Sequence, residues 1–509
     1  MMVRKEWLLL VFLSIGTVVL SAPTEIGDRA QLFIDPVLVR ETSNVCFTQH
    51  PGVKHPESPL IKADQPWEGW RIELFGTVLY DEEERQFKMW YVNDQQGFFQ
   101  KRYNTCYATS KDGIHWEKPT VGTLQSLNGQ PHAVVGMYET CNVFKDYEEP
   151  DPNRRYKMIA YVSEGPTGYR TLVSPDGLHW NVESQEPIAP NSDVIGAFWD
   201  HYRKGYVAYP KIGEVSPLGH KRRVFDVIFS DDFRTWTEPQ PAFRPDLRDD
   251  EGSYARLVKL QSLLDRPVDP NLMRTEFYGM GFYRQESCII GFPWIFTINN
   301  NARWGNQDGV QEIQLAVSRD GISWERPFRL PIIEMGELGE WDCSYHMTAS
   351  RAIRVRDEIR LYYSGANYTH GTPAVYRDKD DNGNDTGRGT KYTSRIGLVT
   401  WKLDRFVSAD GPQEGGTLTT IPFVFSGDRL VINALTRKEG AIVVELLDAA
   451  GNRLEGYSRS DVFFGDELRH VVTFGGKTDL SRLVDKAISL RFHLRNAELY
   501  SFAFRKSSG

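Results

Sequence analysis

One seven-residue phrase recurs four times along the chain: "SKDGIHW" from Ser110 to Trp116, "SPDGLHW" from Ser174 to Trp180, "SDDFRTW" from Ser230 to Trp236 and "SRDGISW" from Ser318 to Trp324. Each copy follows a β-rich run such as "TCYAT", "YRTLV", "VFDVIF" or "IQLAV". Asp-Gly after such a run, present in three copies, predicts a tight hairpin, because Gly accepts the positive φ of a twisted two-strand turn. The Trp is expected to restart the next strand with a large buried ring. Upstream of each copy lies a further strand pair, as in "GTVLYDEEERQFKMWYV", so each unit supplies about four strands.

The motif serines are spaced by 64, 56 and 88 residues, which fits a constant strand quartet with variable loops. A fifth unit, "AIRVRDEIRLYYSGA" followed by "SRIGLVTWKLDRFV", has the strands without the turn. Units that cannot bury their own faces point to radial closure, an all-β five-bladed β-propeller, with six blades as the alternative. Helix-period patterns are scarce. The N-terminal stretch "AQLFIDPVLVRE" alternates as a strand would and is the expected source of a first strand. The Pro-rich "HPGVKHPESPLI" reads as an extended connector. From about Ser408 the texture changes to long alternating strands, with Ile488, Leu490, Phe492 and Leu494 on one face, which predicts a small β-sandwich. The expected organisation is a signal peptide over 1–22, a propeller over 23–407 and a sandwich over 408–509.

The signal peptide is read from Arg4 and Lys5, the apolar run Trp7 to Leu20, and small Ser21 and Ala22. The alternative, a retained anchor, is short against the ~20 residues a bilayer needs. A secreted or periplasmic protein with no membrane association after cleavage is therefore expected. A net charge of -8, with no run of Lys and Arg, argues against nucleic acid as partner. Five widely spaced Cys allow at most two disulfides and fit no zinc pattern; buried thiols are the plain alternative.

Phrases such as "FKMWYV", "CYATSKDGIHWEKP" and "LAVSRDGISWERP" give residues 30 to 405 a resemblance to the secreted five-bladed β-propeller glycoside hydrolases, the broad group around families 32, 43 and 130. "GTLTTIPFVFSGDRLVINA" looks like the sandwich that bacterial relatives of this kind append. The resemblance implies action on an oligo- or polysaccharide. The Asn-Asp-Pro-Asn-Gly, Arg-Asp-Pro and Glu-Cys signatures of family 32 are absent, so no catalytic position is carried over from it.

In a propeller, polar residues that open the innermost strands converge on one funnel. On this reading the first unit contributes Arg71 and Glu73, the second Glu139 and Asn142, the third Asp193, the fourth Glu276, and the fifth Asp342 and His346. Glycosidic cleavage needs a protonated carboxyl and a second carboxylate, about 5 Å apart for retention and about 6.5–9.5 Å for inversion. Glu276, beside Phe277 and Tyr278, is the expected general acid, because an apolar setting raises a carboxyl pKa. Asp193 is the expected base or sugar-holding carboxylate, with Glu73 competing for the base role.

Arg71, Asn142, Trp341, Asp342 and His346 are the expected substrate-binding residues, and Trp70 and Trp304 are further stacking candidates. Each has a plain alternative as a strand-end salt bridge or core side chain. The loop "DKDDNGNDTG" matches the start of a calcium loop at Asp378, Asp380 and Asn382, but Gly389 stands where the bidentate acid belongs. A solvated hairpin is favoured there, and no cofactor is expected. A glycoside phosphorylase using Arg71, Arg303 and His346, and a non-catalytic glycan-binding propeller, are the competing readings.

Overall fold

The computed structural model describes residues 23–69, 71–94, 103–163, 165–189, 192–302, 307–371 and 393–507. It is built almost wholly of strands; the α-helices among the described residues are Leu247–Glu251 and Ser253–Lys259. No helix among them is long and apolar enough to cross a membrane. The proposed signal segment and the calcium-loop candidates Asp378, Asp380 and Asn382 lie outside the described residues, as do Trp70, Arg303 and Trp304.

Five strand groups follow one another. The first is Ile72–Asp81, Gln86–Asp94, Tyr103–Ser110 and Val134–Gly136; the second begins at Cys141–Lys145, the third at Ile195–Asp200, the fourth at Arg274–Arg284 and the fifth at Tyr345–Thr348. Neighbouring strands within a group pair antiparallel, and parallel bridges from Gln311 to Tyr345 and from Phe282 to Arg351 link the fourth group to the fifth. The opening strands touch in succession from the first group to the fifth, and Tyr345–Thr348 touches Ile72–Asp81. Glycine permits this approach. A Cβ on Gly76 would sit 1.9 Å from the Trp90 carbonyl, and one on Gly196 would sit 2.4 Å from the Met280 carbonyl across the seam between the third and fourth groups.

The repeated turn has a defined physical form. Ser110 Oγ donates to Asp112 Oδ1 (3.0 Å) and accepts from Gly113 N (2.8 Å), while Asp112 Oδ1 also takes the amides of Ile114 and His115 at 2.8 and 2.9 Å. The same bonds recur at Ser174, Ser230 and Ser318. Gly113, Gly177 and Gly321 have φ of 78, 78 and 79°, and Phe233 takes 66° in the copy without Gly. The motif Trp rings are only half-buried, not the deep core rings expected. The deeper anchor comes from the preceding unit. Tyr362 Oη donates to Gly113 O (2.7 Å), Trp90 Nε1 to Gly177 O (2.8 Å) and Tyr209 Oη to Gly321 O (2.6 Å). Each donor lies on the second strand of its group, so the turn fastens one unit to its neighbour, the fifth to the first included. Tyr362→Phe would leave Gly113 O with only the longer bond from Trp116 Nε1 (3.2 Å), and we expect it to lower unfolding free energy by about 0.5–1.5 kcal/mol in urea titration.

The N-terminal expectation needs correction. Gln31–Leu32 and Val39–Ser43 do not enter the five groups; they pair with Ile488–Arg505 and Gly416–Thr420 in a ten-stranded sheet, as Thr24–Gly27 and Cys46–Gln49 pair with Phe423–Phe425 and Val407–Gly411. A boundary at 23 and 408 therefore separates strands that share one sheet. Its core joins Ile26, Phe33 and Leu38 to Phe423, Phe492 and Phe502. The segment read as a connector supplies Val53–Lys54, which pairs with Ser394–Lys402 and completes the fifth group. All five cysteines are free thiols, four of them buried.

Candidate active site

Acidic residues that open the first strands of the first four groups gather at one place. From the first group, Arg71 Nη1 donates to Glu73 Oε1 at 2.7 Å, and Tyr368 Oη of the fifth group lies 3.4 Å from the same oxygen. In the third group Asp193 Oδ1 lies 2.5 Å from Lys211 Nζ, whose ammonium sits 3.9 Å from the centre of the Tyr278 ring. In the fourth, Glu276 Oε2 accepts from Arg223 Nη1 (2.6 Å) and Glu276 Oε1 from Arg274 Nε (2.8 Å). The Arg223 guanidinium lies 5.1 Å from the Tyr278 ring centre, and Tyr278 Oη lies 3.3 Å from His370 Nε2. Glu73, Asp193 and Glu276 are thus brought into one electrostatic neighbourhood.

The carboxylates are not alike. Burial would raise Asp193, but the charge and hydrogen bond of Lys211 outweigh it and hold the group ionised, with a pKa of about 2. Burial is also the largest influence on Glu139, and there it wins. Reinforced by the negative charges of Asp193 and Glu73, and only partly offset by Lys211 and Arg71, it lifts Glu139 to about 7. No hydrogen bond or ion pair to the Glu139 carboxyl is found among the described residues. Burial drives the Lys211 pKa down from its ordinary value, against the pull of Asp193. An ionised carboxylate and a carboxyl poised near neutrality therefore lie within each other's electrostatic reach, the usual condition for acid–base work.

This reassigns several expected roles. Glu276 does not sit in the apolar setting expected: two guanidiniums hold it, because Arg223 arrives on the adjoining strand Lys221–Ser230 and Arg274 stands two residues before it on its own strand. Asn142 is spent on the fold. Its Nδ2 donates to Ile195 O (2.8 Å) and its Oδ1 accepts from Ala197 N (3.1 Å), stitching the second group to the third. His346 is fully buried, with Nε2 2.6 Å from Asp342 O, and burial lowers its pKa to about 4, so it orients no carboxylate of the cluster. Asp342 is buried and accepts from Lys54 Nζ and Tyr363 Oη, both at 2.7 Å. Trp341 is half-buried against the fifth group.

Glu139 stands two residues before the strand Cys141–Lys145, as Asp193 stands two before Ile195–Asp200. That shared offset is the signal that identifies the pair. Lys211 and Arg223 lie on Gly205–Val215 and Lys221–Ser230, which pair as a long hairpin and carry both cations inward. Among the described residues no group of His, Cys, Asp and Glu is arranged to hold a metal ion.

No family model matches the chain. It is similar to the A type blood N-acetyl-alpha-D-galactosamine deacetylase of Flavonifractor plautii, 22% identical over 450 residues that cover 80% of this chain and 54% of that protein. The chain therefore spans about half the length of the curated relative it matches. Among solved structures it is similar to an N-acetylgalactosamine deacetylase from F. plautii in complex with blood group B trisaccharide (TM-score 0.39, 15% identity, 76% of this chain and 96% of that one). A glycosyl hydrolase from Bacteroides ovatus (0.39, 11%, 70% and 94%) and an exo-inulinase from Aspergillus awamori (0.37, 12%, 87% and 99%) also match.

Proposed function

We propose that the chain is an exported glycan-processing enzyme, a glycoside hydrolase built on a five-bladed propeller whose first strands carry the reacting groups. The cyclic contact of the five opening strands supports the propeller reading. One observation carries the chemistry: Glu139, held near neutrality, within electrostatic reach of Asp193, held ionised. In this reading Glu139 protonates the leaving glycosidic oxygen. Asp193 activates water or attacks the anomeric carbon, and Lys211 keeps it ionised. Glu73 and Glu276, clamped by Arg71, Arg223 and Arg274, hold sugar hydroxyls and fix the walls. A phosphorylase would need free cations for phosphate, and Lys211 and Arg223 are each bonded to a carboxylate.

The sequence relative gives a second reading specific support. Release of acetate from an N-acetylated sugar uses the same division of labour, with Asp193 activating water and Glu139 protonating the departing amine. Incubating the protein with a panel of plant, microbial and mucin-type glycans separates the two: new reducing ends mark glycosidic cleavage, acetate with intact chains marks deacetylation. Neither product from any glycan would overturn both and leave a binding protein. Asp193→Asn is expected to cost about 10²–10⁴-fold in kcat/KM for whichever product forms. Unchanged turnover would remove Asp193 from the reaction.

A further inference from the structure

Outside the acidic cluster, the fifth strand group carries a second constellation suited to a sugar. Trp341 lies on a floor of two glycines: a Cβ on Gly365 would meet its Cζ3 at 3.1 Å, and one on Gly397 its Cη2 at 2.9 Å. Behind it the Tyr363 ring sits 5.5 Å away, inclined by 31°. The next residue is pinned from three sides, with the Asp342 carboxylate taking Lys54 Nζ and Tyr363 Oη and its carbonyl facing His346 Nε2. A half-exposed indole is thereby held in one orientation, at little further entropy cost to a ligand that lands on it.

Its open side faces a pocket of about 330 Å³ that also exposes His55, Asn367 and Arg395. Arg395 stands opposite Gly365 in the register of Glu358–Ala366 and Ser394–Lys402, and two residues before Gly397. Alternation puts Gly365, Asn367, Arg395 and Gly397 on the face that Trp341 covers. No hydrogen bond or ion pair to the Arg395 guanidinium is found among the described residues. A flat aromatic surface ringed by a few convergent polar groups is the usual form of a small-ligand site.

We propose that this pocket is an auxiliary subsite that binds one pyranose ring of a longer glycan, stacked on Trp341 and hydrogen-bonded by Arg395. The proposal rests on the glycan-acting reading above but not on its chemistry, and a test can separate them. Affinity electrophoresis of the full chain through gels containing mannan, xylan, inulin, pectin or mucin glycans reads binding, and product release in solution reads turnover. Using Glu139→Gln as a background that binds without turnover, at least one polysaccharide should retard migration. Trp341→Ala and Arg395→Ala should each weaken that retardation about tenfold, and Trp341→Phe by less. Arg395 is partly exposed, so its variant stays informative if Trp341→Ala melts early. Retardation unchanged by both alanine variants, or no retardation by any gel, overturns the subsite. Weakened binding in a protein that releases no product would leave the subsite standing and the hydrolase reading fallen.

Discussion

Glu139→Gln is expected to lower kcat/KM by about 10²–10⁴-fold and to erase the alkaline limb of the pH profile, because the amide is isosteric yet has no proton to give. The parent enzyme needs Glu139 protonated and Asp193 ionised. With pKa values of about 7 and about 2, the working form dominates between them, so kcat/KM should fall as pH rises through 7. The same substitution is not expected to weaken the fold. A carboxyl whose folded pKa is raised gives up stability as pH climbs from its ordinary value to the raised one, and Gln removes that loss. At pH 8 the variant should therefore melt no lower than the parent, which separates lost chemistry from lost structure. A variant that keeps turnover and an alkaline limb near pH 7 would hand the acid role to another group.

The strand quartets were legible because their signal is local. A Ser, an Asp and a Gly within four residues make a turn out of their own hydrogen bonds, so "SKDGIHW" announces its geometry without help from the rest of the chain. What ties that turn to the next unit is not local: Tyr362 reaches Gly113 across 249 residues. The same distinction explains the N-terminus, where alternation in "AQLFIDPVLVRE" indicates strands but not their partners, which lie beyond residue 406.

At the cluster, the acids that open the strands could be read from position, and Glu73, Asp193 and Glu276 do come together. Their roles could not. Glu276 has Phe277 and Tyr278 beside it in sequence, but the neighbours bonded to its carboxylate include Arg223, 53 residues away. Glu139 owes its poise first to burial and then to the charges of Asp193 and Glu73, from other strand groups, and no residue adjacent to it foretells that. Local residues report what a side chain is near along the chain, whereas its proton affinity is set by what folding brings across the seams.

Asp81→Ala is the substitution expected to cost the fold most, about 3 kcal/mol, because it takes from two buried ammonium groups their shared buried carboxylate and leaves them only the half-exposed Glu84 and Glu83. Asp81 is wholly buried. Its Oδ1 accepts from Lys145 Nζ (2.7 Å), and its Oδ2 lies 2.9 Å from Lys88 Nζ and accepts from Tyr156 Oη (2.5 Å). Lys88 belongs to the first strand group, Lys145 and Tyr156 to the second, so this one carboxylate fastens the seam between them. Burial opposes its ionisation, yet Lys145, Tyr156 and Lys88 hold its pKa well below the ordinary carboxylate range. Since the folded value is depressed, the stabilisation is complete above the ordinary carboxylate pKa and drains away as pH falls toward the depressed one. Urea midpoints should differ fully between parent and variant at pH 6 and begin to converge only below about pH 4. Glu84→Ala removes the other partner of Lys88, but that carboxylate is half-exposed and should cost no more than about 1 kcal/mol. Equal losses from the two variants would mean that solvent, rather than the buried carboxylate, balances these lysines, and that the seam is held by its apolar contacts alone.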